Sequence, residues 1–312
     1  MPLVGVKANA GAFGLGWGTP LPSAGAGYVA GSYAGYSDAI NKFSFVDDSR
    51  SILGATLAAQ RGYGVGLTST THGYIASGME NVAGVNTVVA RVEKLLYSAD
   101  TISTTTSLPS VRWLSNGFSS TTHGYCAGGR NSAGTNLSSI AKIDLSDDSS
   151  STIGSTLPGS LHAHSGFESS TAGYVGGGAS ASSVNTANVY KLVFSTDVTS
   201  TLATGISSAR RATMAFNSTT AGYVAGGFTS ANVTTVDKFA FSDDSRTTLG
   251  TGLSTARRYG TGMESSDAGY ACGGLSSVVD KFAFSDDSRT TLSTGISMTG
   301  EGPCGFAKNV HA

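Results

Sequence analysis

Apolar residues along this chain come in short bursts separated by runs of Ser, Thr, Asn, Asp and Gly. In Val236-Asp-Lys-Phe-Ala-Phe, Phe239 and Phe241 share one side while Val236, Lys238 and Ala240 share the other. That two-residue period predicts a strand. The same wording returns from Ile140, Val189 and Val279, always downstream of a Gly-Tyr pair. Six such pairs occur, Gly27-Tyr28, Gly73-Tyr74, Gly124-Tyr125, Gly173-Tyr174, Gly222-Tyr223 and Gly269-Tyr270, spaced 46 to 51 residues apart. A fixed period of this size marks an array of supersecondary units, none of which buries its apolar face alone. Each copy predicts four strands: a short one with a small-large pair such as Gly262-Met263, the G-Y-x-x-G-G strand, the Val-Asp-Lys-Phe strand, and a Thr-rich strand after a Ser-Asp-Asp-Ser turn. No segment has a useful helical period. The pattern predicts an all-β, six-bladed β-propeller of four-stranded antiparallel blades.

The first type of strand is missing before Gly27, where Pro20-Leu21 stands, and recurs at the other end of the chain as Gly305-Phe306. The C-terminal strand is therefore expected to complete the first blade, closing the ring and removing its open edge. This divides the chain into a propeller over 21–312 and an N-terminal arm over 1–20. The arm is apolar and Gly-rich, and Phe13 and Trp17 make it either a docking segment for other proteins or a clasp on its own propeller.

The period near fifty, the glycine doublet and the downstream V-x-K-F strand resemble kelch-type repeats. The wording G-Y-x-x-G-G, then D-K-F-x-F-x-x-D, then A-R-R is similar to kelch-like repeats in proteins of tailed phages, marine and cyanobacterial ones in particular, over roughly residues 22–308. It differs from animal kelch repeats in lacking their late tryptophan, since only Trp17 and Trp113 occur. The resemblance implies a kelch-like propeller and a virion component.

Composition narrows the function classes. Of 312 residues, 39% are apolar and 12% charged, with a net charge of −1 and no Lys/Arg-rich run, so a nucleic-acid partner lacks its electrostatic footprint. The chain shows no signal-peptide h-region and no apolar run long enough to span a membrane, so folding in a host cytoplasm and no membrane insertion are expected. Cys126, Cys272 and Cys304 lack C-x-x-C spacing and read as core residues rather than a disulfide or zinc framework. No nucleophile elbow, Walker loop, H-E-x-x-H or Rossmann fingerprint is present. A non-enzyme without cofactor or metal is expected.

Four sets of repeated residues are candidates for chemistry. Lys42, Lys94, Lys142, Lys191, Lys238 and Lys281 read as inter-blade ties, with stems packed and ammonium groups on a carboxylate or carbonyl. The Asp pairs (Asp47-Asp48, Asp147-Asp148, Asp243-Asp244, Asp286-Asp287) read as turn chemistry rather than calcium ligands. Arg61, Arg112, Arg210, Arg211, Arg257 and Arg258, with His162 and His164 in the fourth copy, stand where the first strands begin. They form either a cationic rim at one end of the channel, suited to acidic sugars or a partner's carboxylates, or ties to Glu168 and Glu264.

The leading expectation is a virion structural or attachment protein: a tail fibre, tail tip or capsid-surface appendage. It would join other virion proteins through its arm and present the variable loops after G-Y-x-x-G-G to a host glycan or protein; a homo-oligomer is compatible with this. The alternative is a soluble carbohydrate-binding propeller lectin. A third reading, a glycan hydrolase, would need Glu168 and Glu264 as paired channel carboxylates.

Overall fold

A computed structural model describes residues 25–33 and 35–307. Six antiparallel sheets stand around a central axis as blades. From the axis outward, blade three runs Asn116–Ser119, His123–Ala127, Ser139–Asp144 and Ser150–Thr156. Blades four, five and six repeat this order with inner strands Ser165–Glu168, Met214–Asn217 and Thr261–Glu264.

Blade one is completed as expected. Its inner strand is Cys304–Ala307, paired antiparallel to Ala26–Ser32 with Tyr28 opposite Phe306 and Ala30 opposite Cys304. The two ends of the described chain thus share one sheet. Blade two departs from the four-strand pattern. Its second and third strands lengthen into the hairpin His72–Val82 and Val85–Leu96, and Gln60–Gly62 adds a short fifth strand against Met79–Asn81. The predicted arm, with Phe13 and Trp17, lies outside the described residues.

The core consists of six apolar slabs between neighbouring blades and a smaller seventh cluster at one end of the channel, where Tyr63, Leu114, Ala163 and Ala212 are buried together. The Gly-Tyr pair explains how the slabs pack. A side chain on the Gly would collide with the large apolar residue of the preceding blade's inner strand: Gly173 with Phe118, Gly222 with Phe167, Gly269 with Phe216 and Gly73 with Phe306. The following Tyr is at most 2% exposed in every copy. Glycine there opens the slot that lets an aromatic ring of one blade lie under the next.

The lysines and the turn aspartates then tie the blades together. Each Lys ammonium meets the Asp in the hairpin turn of the next blade at 2.7–2.9 Å, from Lys42–Asp100 round to Lys281–Asp48. Each lies over its own blade's Gly-Tyr ring, whose hydroxyl donates to the same Asp. The expected tie is present six times. Asp47, Asp147, Asp243 and Asp286 cap their own turns by accepting from the backbone N–H two residues on. These turns and the Ser/Thr turns share one end of the propeller, the turn face. The loops after G-Y-x-x-G-G share the other, the loop face.

Candidate functional site

The loop face opens on the channel through six equivalent positions: Tyr63, Leu114, Ala163, Ala212, Tyr259 and Gly302. All six have left-handed backbone, with φ from 51° to 65°. Each N–H donates to the carbonyl of the same position in the preceding copy round the ring, at 2.6–3.1 Å, making a closed ring of six backbone hydrogen bonds. Holding a residue with a side chain in this conformation costs on the order of 1 kcal/mol or more, and five of the six have one. The ring supplies the compensating bonds, and it fixes the direction in which every side chain leaves the mouth.

Those side chains differ. Ala163 and Ala212 leave a low floor on one side. Tyr63 and Tyr259 meet edge to face at 5.5 Å, and Tyr63 also contacts Tyr33 at 5.0 Å and Trp113 at 5.9 Å. On the far side of Tyr259 the track continues into cations. Arg258 lies 5.5 Å from the Tyr259 ring centre and 4.6 Å from that of Phe228, and Arg211 lies 4.9 Å from Phe228. The Tyr63 hydroxyl donates to the carboxylate of Glu301, the residue before Gly302, and Tyr63 itself is buried at 8% exposure. The result is one non-repeating strip, cationic at Arg211 and Arg258 on one side of Tyr259 and acidic at Glu301 on the other, over the buried ring of Tyr63.

Of the six arginines expected at the rim, the structure places two there. Arg211 and Arg258 stand on the mouth. Arg61, Arg112, Arg210 and Arg257 are at most 2% exposed and lie inside the blades. Nor do they reach Glu168 or Glu264. Arg210 pairs with Asp237 at 2.8 Å and Arg257 with Asp280 at 2.7 Å, while Arg61 pairs with Glu93. The signal for this was present in sequence: the residue before the repeated Lys is acidic in those three copies. Arg112 has Ala141 there, and its guanidinium donates instead to the carbonyls of Cys126, Gly128 and Ser139. Burial without a carboxylate holds Arg112 below the usual arginine range.

His162 and His164 are buried rather than displayed. Desolvation, helped by nearby cationic groups, lowers their pKa values to about 4 and about 3, so both imidazoles are neutral near pH 7. Sequence reasoning missed Tyr33, Trp113, Phe228 and Glu301 as parts of the strip. They fall in two columns of the repeat, Tyr33 with Phe228 and Trp113 with Glu301, and in both columns the other copies carry unlike residues, so the columns do not stand out in sequence.

The turn-face mouth carries Thr68, Ser119, Glu168, Asn217, Glu264 and Ala307 at the equivalent inner-strand position. Here the two carboxyls do face the channel. Desolvation raises both, Glu264 to about 7, and the charge of Glu264 adds to the effect on Glu168. Seryl and threonyl side chains around them line a cavity of about 150 Å³. Among the described residues no three His, Cys, Asp or Glu side chains converge as a metal cluster.

These features define a closed six-bladed β-propeller whose turn face carries one Lys–Tyr–Asp tie repeated six times and whose loop face carries unlike side chains on a repeated backbone. No family model matches the chain, and no curated protein matches it in sequence. Among solved structures it is similar to that of YjhT, with a TM-score of 0.72 over 88% of this chain and 99% of that one, at 15% identity. At that identity the likeness establishes the shared propeller fold.

Proposed function

We propose that this propeller is a non-enzymatic attachment protein of a phage virion, presenting its loop face to a host surface. The observation that carries the reading is where large apolar side chains remain exposed. Of the eight exposed large apolar side chains among the described residues, five, Tyr36, Val82, Val85, Val184 and Leu275, are 40–64% exposed and stand on the connections and hairpin end of the loop face, while Val46, Ile52 and Val198 lie on a turn and two outer strands. Apolar loop tips around a rigid ring are the usual form of a contact surface. The kelch-like wording of the repeats supports the virion context, and the arm would join the chain to other virion proteins. Proteomics of purified virions, with binding of the isolated chain to host cells, tests this. Presence in the particle and saturable binding that weakens on Val82→Ser/Val85→Ser are expected. Absence from virions overturns the virion assignment, and unaltered binding by the variant overturns the loop-face assignment.

The second reading, a soluble carbohydrate-binding lectin, is favoured by the aromatic strip from Tyr33 to Tyr259. It shares the contact surface and differs in context.

A further inference from the structure

Two consecutive copies contain an Arg-Arg pair, and the structure treats its members oppositely. The first of each pair, Arg210 or Arg257, is buried against its own carboxylate. The second, Arg211 or Arg258, has no carboxylate partner among the described residues. Arg211 donates to the side-chain oxygen of Asn185 at 2.8 Å, which orients its guanidinium. Arg258 is only stacked, on Phe228 and Tyr259, and its Nε is shielded from solvent without a hydrogen-bond partner. Both cations flank one aromatic ring, so two planar forks of donors are held side by side at the channel mouth.

We propose that this strip binds an acidic saccharide, its carboxylate or sulfate group against Arg211 and Arg258 and a sugar-ring face on the partly exposed Tyr259. This rests on the loop face being the contact surface. Guanidinium forks match planar or tetrahedral oxyanions through paired hydrogen bonds. Stacking on Phe228 removes part of their hydration in advance and limits the entropy lost on binding. Beyond Tyr259 the partly exposed rings of Tyr33 and Trp113 border the mouth and can take an apolar sugar face. Glu301, in the copy on the other side of Tyr259 from the arginines, disfavours a second anionic group there, which sets the ligand's direction. An acidic peptide would find the cationic end but has less use for a run of ring faces.

The test is calorimetric titration of the full chain with four probes: tetragalacturonate, its carboxyl-reduced counterpart, a heparin tetrasaccharide and a short poly-glutamate. Binding of at least one acidic oligosaccharide at least tenfold tighter than the neutral one and the peptide is expected. The galacturonate and heparin arms distinguish carboxylate from sulfate. Arg258→Gln should weaken that binding tenfold or more at unchanged melting temperature, and Tyr259→Ala should weaken it without abolishing the preference for acid. Equal affinity for the neutral sugar, preference for poly-glutamate, or full affinity in Arg258→Gln each overturn the proposal. If no probe binds while the chain still binds host cells, the saccharide proposal fails and the attachment reading stands. If cell binding is also absent, the attachment reading fails with it.

Discussion

The two ends of this propeller are built from the same six copies and differ in what the copies share. At the turn face the side chains repeat: Lys, Tyr and Asp form the same tie six times round the ring. At the loop face the backbone repeats, as a closed ring of hydrogen bonds through left-handed residues, while the side chains on it range from glycine to tyrosine. Repeated side chains maintain the blades. A repeated backbone carrying unlike side chains is a fixed frame on which a binding surface can be varied.

That contrast can be broken most severely at the closure. Removing residues 303–312 takes away the inner strand of blade one, leaving Ala26–Ser32 as an open edge and Met263 without the chain end beside it. Loss of a single cooperative unfolding transition by calorimetry is expected, and a wild-type transition would show that closure is dispensable. Next in size is Arg210→Leu. It leaves Asp237, which is 0% exposed, with the partly exposed Arg246 at 3.3 Å as its remaining cation; breaking one side of a buried ion pair costs about 3–5 kcal/mol, and the remaining partner puts the expected loss at or below the low end. Chemical denaturation should show that loss and its recovery in Arg210→Leu/Asp237→Leu; no recovery would locate the cost elsewhere than in the unpaired charge.

The channel carboxyls give a pH signature at the turn-face mouth. Both have folded-state pKa values raised above the usual 4.5, Glu264 to about 7. The folded state therefore holds their protons more tightly than the unfolded chain does. Their contribution is fully present below about pH 4.5 and is lost as the pH rises towards 7. Melting temperature should fall across that window by more in the wild type than in Glu168→Gln/Glu264→Gln; parallel profiles would contradict the assignment. Smaller still is Lys238→Gln, which removes one of six half-exposed ties and should cost about 1 kcal/mol or less, diminishing in high salt. A cost independent of salt would mean that stem packing, not charge, dominates.

Repetition decided what the sequence made legible. Six Gly-Tyr pairs revealed the blades, and the stray Gly305-Phe306 revealed how the ring closes, because a missing strand in one place and a spare one in another have a single topological solution. Lys238 and Asp287 were each recognisable as structural, although their pairing across blades needed three dimensions. The arginines were misplaced for a physical reason. The pair lies in the connection before Met214–Asn217, where Arg210 turns inward and Arg211 towards the mouth, and only the acidic residue before the repeated lysine, Asp237, marks which is which. Tyr33, Trp113 and Phe228 stayed hidden because the strip joins residues from different columns of the repeat and from separate blades.

Lys238→Gln and Arg258→Gln, compared side by side for melting temperature and for affinity to the acidic oligosaccharide, test the division between the two faces most directly. The expected result is a crossed pattern. Lys238→Gln melts lower and binds as wild type, and Arg258→Gln melts as wild type and binds at least tenfold more weakly. Both variants losing stability and neither losing affinity would contradict it, because the loop-face arginine would then be one more structural tie.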